Sequence, residues 1–153
     1  MDEITYKPIG IVHSPHPPAG SAPPRRLSRR GVEGTVELFP EYVEGLRDLE
    51  GFSHIMLLCH LHLSQGFALS VTPPAETVTH GVFATRSPRR PNPISLTVVR
   101  LRRIEGAILH VVDLDLVDGT PLLDIKPYFT AVPEEEVVTT GWMDNSAHER
   151  KEP

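Results

Sequence analysis

Arg86, Arg89 and Arg90 lie within one stretch, GVFATRSPRRPNPI, that also holds Pro88, Pro91, Asn92 and Pro93. Three guanidinium groups at this spacing offer planar, multi-donor forks that pair with phosphate or carboxylate oxygens. The prolines forbid a regular helix or a central strand. They also remove backbone freedom before any ligand arrives, so a site built here is ordered at little entropic cost. A second stretch, DLDLVDGTPLLDIKPY from Asp113 to Tyr128, supplies the opposite charge through Asp113, Asp115, Asp118 and Asp124. Strand alternation would set Asp113 and Asp115 on one face, where they repel unless a cation or an arginine sits between them. Asp118-Gly119 marks a tight turn. These residues point to a rigid, polar binding loop, and the arginine windows could supply the partner that the aspartates need.

Other chemistries find less support. Cys59, His60 and His62 contain metal-ligating types, but Cys59 and His60 are neighbours on an expected strand and point to opposite faces. No second ligand pair with metal spacing follows, so no metal site is expected. The apolar surroundings of Cys59 raise a thiol pKa and argue against a nucleophile. The chain contains no GxGxxG or GxxxxGK[ST] phosphate loop and no GxSxG elbow.

The elements that must position these groups read as mainly β. ITYKPIGIV predicts a strand over Ile4–Val12, and GTVELF predicts another. SHIMLLCHLHL is a continuous apolar run suited to a strand in a closed barrel. PISLTVVRLRRI and AILHVVDLDLVDG meet at Glu105-Gly106 as a hairpin, and PLLDIKPYF is a strand broken at Pro127. PEYVEGLRDLEGF carries Val43, Leu46 and Leu49 at helical spacing and predicts a short helix. Val82–Ala84 is expected to lead into the Arg/Pro corner as a strand, and Ile94–Leu101 to lead out of it. The expected fold is a small antiparallel β-barrel with one or two short helices over residues 1–133, followed by a C-terminal tail, 134–153, that Trp142 could anchor.

Bulk composition fits this reading. The chain has 153 residues and a formal net charge of −5, which argues against indiscriminate coating of nucleic acid. Twelve of its 15 basic residues are arginines, and ten basic residues fall in two windows, Arg25–Arg30 and Arg86–Arg103. Local positive patches are therefore expected on an acidic protein. A single cysteine and no membrane-length apolar run predict a soluble, cytoplasmic domain.

GVFATRSPRRPNPI and DLVDGTPLLDIKPY, preceded by FSHIMLL and an early IGIVHSP, together resemble the TrmO family, also called TsaA-like or YaeB-like. The resemblance implies a barrel that binds S-adenosyl-L-methionine and works as a homodimer. It also implies methyl transfer to the exocyclic amine of threonylcarbamoyladenosine beside the anticodon of tRNA. Carried over by motif, the cofactor contacts are Pro24, Arg25 and Arg26 in the early loop, His62 and Leu63 after the FSH strand, Arg86 and Leu96, and Asp115, Leu116, Val117 and Asp118. Asn92 and Tyr128 become the candidate catalytic residues. Arg29, Arg30, Arg89, Arg90, Asp124 and Lys126 become the candidate substrate contacts. Two alternatives stay open on the residues alone: a small anionic molecule as methyl acceptor, or a non-catalytic module that binds the cofactor.

Overall fold

The computed structural model describes residues 1–17, 30–74 and 76–143. Eight strands occur among them: β1 (Gly10–His13), β2 (Glu33–Leu38), β3 (His54–His60), β4 (Ser70–Val71), β5 (His80–Gly81), β6 (Ile94–Glu105), β7 (Ile108–Val112) and β8 (Thr120–Pro127). Six of them close into a barrel in the order β1-β2-β7-β6-β3-β8, with β8 pairing back onto β1. Every pairing is antiparallel. β4 and β5 form a separate two-stranded ribbon that projects between β3 and β6 in the chain. The expected small antiparallel barrel is thus the observed architecture.

Period-two alternation places the core. Ile55, Leu57 and Cys59 of β3 point inward with no exposure, whereas Met56 and Leu58 face the other way and are half-buried. Val99 and Leu101 of β6, Leu109 and Val111 of β7, Leu122 of β8 and Val12 and Val36 pack into the same interior. Branched aliphatic side chains are the sizes that fill a narrow barrel without leaving a channel. Truncating one of them, such as Leu57, to alanine would cost about 2–5 kcal/mol.

Four expectations change at this level. The first strand begins at Gly10 rather than Ile4, because only Ile9 among the residues before it joins the ladder, donating its amide to Leu122 O at 2.8 Å. The expected helix is instead two 3-10 turns, Pro40–Leu46 and Leu49–Gly51. Arg47 is extended between them and Asp48 takes φ +68°, so no continuous helical ladder forms. Val82–Ala84 is a 3-10 turn and not a barrel strand. β7 stops at Val112, so Asp113 and Asp115 do not share a strand face. No helix among the described residues is long and apolar enough to cross a membrane.

Candidate functional site

A cleft of about 590 Å³ opens at one end of the barrel, where the 85–90 loop, the start of β6 and the 114–117 segment converge. Each wall is fixed from within. The buried Thr85 donates its hydroxyl to Val82 O at 2.9 Å and accepts the Ser87 amide at 3.2 Å. Arg90 braces the same loop, its Nη1 donating to Thr85 O at 2.8 Å and to Val82 O and Ser87 O at 3.3 Å each. The Ser64 hydroxyl ties the loop to the segment after β3 by donating to Pro88 O at 2.8 Å. Trp142 adds a further hold, with its indole N–H on Ala84 O at 2.9 Å and its ring stacked on His80 at 4.3 Å. The anchoring role expected of this tryptophan is therefore present. Within this frame Arg86 remains exposed and lines the cleft, making one long bond from Nη1 to Leu96 O at 3.4 Å.

The acidic wall has a different origin. Asp113 ends β7 at φ +71°, a conformation that Asp tolerates better than most residues, and its Oδ1 accepts the Gly31 amide at 2.7 Å. Arg100 lies 3.9 Å from the other carboxylate oxygen, so an arginine of the second basic window does face this acidic set. Leu114 and Leu116 then plug into the core and turn Asp115 outward. Gly34 makes room for this plug, since a Cβ there would stand 2.5 Å from the Leu114 side chain. After it the chain reverses through Val117–Thr120, with Gly119 at φ +79° and the Thr120 hydroxyl donating to Val117 O at 2.7 Å.

The two walls meet over the mouth of the barrel. The buried Thr97 donates its hydroxyl to Asp115 Oδ1 at 2.8 Å, holding the carboxylate at the cleft. Beside it, the Ser95 hydroxyl lines the cleft, is buried, and has no hydrogen-bond partner among the described residues. A buried polar atom without a partner is costly, which sets this hydroxyl apart from those of Thr85 and Thr97 in the same wall. Ser95 pairs in register with Cys59, whose thiol is pushed up to about 12 by burial first and by the Asp115 charge second. Cys59 therefore stays a neutral core residue, and the exposed His60 points the opposite way. Leu61, Leu96 and Leu116 add apolar surface, giving a cleft with two arginines, Arg90 engaged by loop carbonyls and Arg86 open, one carboxylate and an apolar floor.

Arg86, Leu96, Asp115, Leu116 and Val117 are brought together here. Asp118 is not in the cleft: its Oδ1 accepts the Ser14 amide at 3.0 Å and serves the turn. His62 and Leu63 are exposed on the turn after β3, and it is Leu61 that reaches the cleft, its amide on Pro93 O at 2.7 Å. Pro24, Arg25, Arg26 and Arg29 lie outside the described residues, and Arg30 is exposed just before β2. Arg89 is exposed on the loop, whereas Arg90 spends its Nη1 on the loop's own carbonyls. Asn92 lines a neighbouring cleft of about 730 Å³ under the N-terminal segment, which shares Ile94 with the first. Asp124 and Lys126 pair with each other at 2.9 Å on β8. Tyr128 packs against His54, its ring 6.3 Å away, at the end of β3 remote from Leu61, about 20 Å along the strand. Thr85, Ser95 and Thr97 were not anticipated; the register of Ser95 and Thr97 with Cys59 and Leu57 was the signal that could have found them.

Comparison with known proteins agrees with the architecture. A crystal structure of TrmO from P. aeruginosa superposes with a TM-score of 0.72 at 32% identity, covering 98% of this chain and 73% of that one. A probable S-adenosyl-L-methionine-binding protein of Pyrococcus abyssi is 49% identical over 145 residues, 95% of this chain and 79% of the relative. The tRNA (adenine(37)-N6)-methyltransferase of Escherichia coli is 36% identical over 138 residues, and this chain spans 59% of its length. The family model described as the tRNA-methyltransferase O N-terminal domain matches residues 11–133, and the chain belongs to that family.

Proposed function

We propose that the chain is an S-adenosyl-L-methionine-dependent methyltransferase acting on the N6 amine of threonylcarbamoyladenosine next to the tRNA anticodon. The observation that carries this reading is the cleft in which Arg86, Asp115 and the unpartnered Ser95 hydroxyl converge over an apolar floor. That donor set fits the cofactor, a zwitterion with an added sulfonium charge, an aromatic base and two ribose hydroxyls. Arg86 would hold the methionyl carboxylate and Asp115 a cationic or hydroxyl group, with Ser95 satisfied by a polar atom of the same molecule. Leu61, Leu96 and Leu116 would cover the base.

When bound, the cofactor would supply an electrophilic methyl group on a positively charged sulfur, which becomes neutral as the methyl passes to the acceptor nitrogen. The chain's own task is to exclude water and to fix the line of approach, with reacting atoms about 3–3.5 Å apart. The braced 85–90 loop suits that task because it does not need to be ordered on binding. Asn92, across Ile94 from the cofactor cleft, is the group we assign to the acceptor amine. Its side-chain oxygen would accept an N–H bond, turning the nitrogen lone pair toward the methyl group and easing departure of the proton. Relatives named as tRNA (adenine(37)-N6)-methyltransferases support the RNA substrate. The exposed Ile94 and Leu96 at the cleft edge support a homodimer that covers them.

Transfer of labelled methyl from S-adenosyl-L-methionine to tRNA that carries threonylcarbamoyladenosine but lacks the methyl group tests this directly. Incorporation at that nucleoside, and none in tRNA lacking the threonylcarbamoyl group, is the expected result. Cofactor binding without incorporation would leave a binding module, and incorporation into a small anion instead would replace the substrate.

A further inference from the structure

Beside the cleft the ribbon region exposes aromatic surface that the fold does not use. Phe67 and Phe83 are 56% and 76% exposed. They are held near the arginine loop through their neighbours. Ala68 donates its amide to Arg89 O at 3.3 Å, and Val82 donates to Leu69 O at 2.9 Å. The Arg90 guanidinium carbon lies 6.0 Å from the centroid of the Phe83 ring, at the outer reach of a cation–π contact, and the ring stays open to solvent.

The charge around these rings is one-sided. The loop that follows Phe83 carries Arg86, Arg89 and Arg90 and no acidic residue, although the chain's net charge is −5; the remaining arginines of β6 lie toward its far end, where Arg100 is in register with His54. Arg100, Arg102 and Arg103 are paired with Asp113, Glu33 and Glu105. Arg90 is bound to loop carbonyls, and the Arg89 guanidinium has no hydrogen-bond or ion-pair partner among the described residues. Open phenyl faces beside an unengaged arginine match the chemistry of unpaired RNA, whose bases stack on aromatic rings while its phosphates take cations. A paired duplex buries its base faces and would leave both rings unused.

We propose that Phe67 and Phe83 form a stacking surface for unpaired bases flanking the target adenosine, with Arg89 on an adjacent phosphate. This deepens the methyltransferase reading and rests on it. The surface orients the loop of the substrate at the cleft, so its loss acts on RNA binding and not on the cofactor.

The test uses the full chain and the threonylcarbamoyl-bearing tRNA, with a fully paired RNA duplex as control. A Phe67→Ala/Phe83→Ala variant should bind tRNA roughly 10-fold to 100-fold more weakly, with KM raised and affinity for S-adenosyl-L-methionine unchanged. Its duplex binding should be unaffected. Phe83→Trp, tested with Phe67 intact, should retain wild-type tRNA binding. Arg89→Ala should flatten the salt dependence of binding, whereas the phenylalanine variant should not. Unchanged tRNA binding by the double variant overturns the proposal, as does an equal loss on duplex. A change in sedimentation of the variant overturns it too, because it would show that a second copy covers these rings. If the wild-type chain methylates tRNA and the variants match it, only this proposal falls; if the wild type neither binds nor methylates tRNA, the methyltransferase reading falls with it.

Discussion

The two neighbouring clefts differ less in size than in how their walls are held. The cleft at Arg86 and Asp115 measures about 590 Å³ and the one under the N-terminal segment about 730 Å³. The first is bounded by loops whose own side chains satisfy their backbones: Thr85, Arg90 and Thr97 each spend hydrogen bonds on keeping the walls still. The second has strand residues of β3, β6 and β8 on one side, and its other side is formed by Asp2–Tyr6 and Pro8, which belong to no strand. Volume alone would favour the second. Preorganised charge, apolar cover and a buried hydroxyl without a partner favour the first as the place where a zwitterionic ligand is held. In our reading the clefts divide the work across Ile94, one binding the methyl donor and the other receiving the acceptor.

Three substitutions put that division under strain. The largest effect is expected from Asn92→Ala, which should lower kcat by roughly 100-fold or more while cofactor affinity, read by titration calorimetry, stays unchanged. A parallel loss of cofactor affinity would merge the two clefts into one site, and an unchanged kcat would remove Asn92 from the chemistry. Next comes Arg86→Ala, for which cofactor affinity should fall by roughly 10-fold to 100-fold, the usual cost of a charge-assisted bond. Retained affinity would take Arg86 out of the cofactor site. The smallest effect belongs to Ser95→Ala. Removing an unpartnered buried hydroxyl should leave the free protein equally stable or stabilise it by up to about 1 kcal/mol in a denaturant melt, yet weaken the cofactor by roughly 5-fold. Destabilisation of the free protein would mean that the hydroxyl already serves the fold.

Much of the barrel is legible in local pattern. The alternation of Ile55, Leu57 and Cys59 and the Glu105-Gly106 turn are properties of a few adjacent residues, and they carry through to β3 and the β6–β7 hairpin. The failures share a cause. Ile4–Pro8 has strand-like residues, but a strand needs a partner edge, and β8 offers its ladder only as far as Ile9. Val43, Leu46 and Leu49 keep their inward positions although the backbone between them turns as 3-10 rather than α, because burial constrains side chains more than hydrogen-bond type. In the site, Arg86 and Asp115 stood out by motif, and their meeting in one cleft depends on β6 and the segment after β7 lying side by side. Ser95 and Thr97 did not stand out, because a hydroxyl inside an apolar strand gains meaning only from register. Arg90 resembles its neighbours in sequence, and only the geometry separates a brace from a free cation.

The stack of Trp142 on His80 has a practical side. It is the only tryptophan in the chain, and its indole nitrogen is bonded to the residue that precedes Thr85 and the arginine loop. The protein therefore carries a single intrinsic tryptophan, seated against the start of the arginine loop and stacked on His80. Its emission is a label-free optical channel onto that loop, one that needs no engineered cysteine and leaves both clefts untouched.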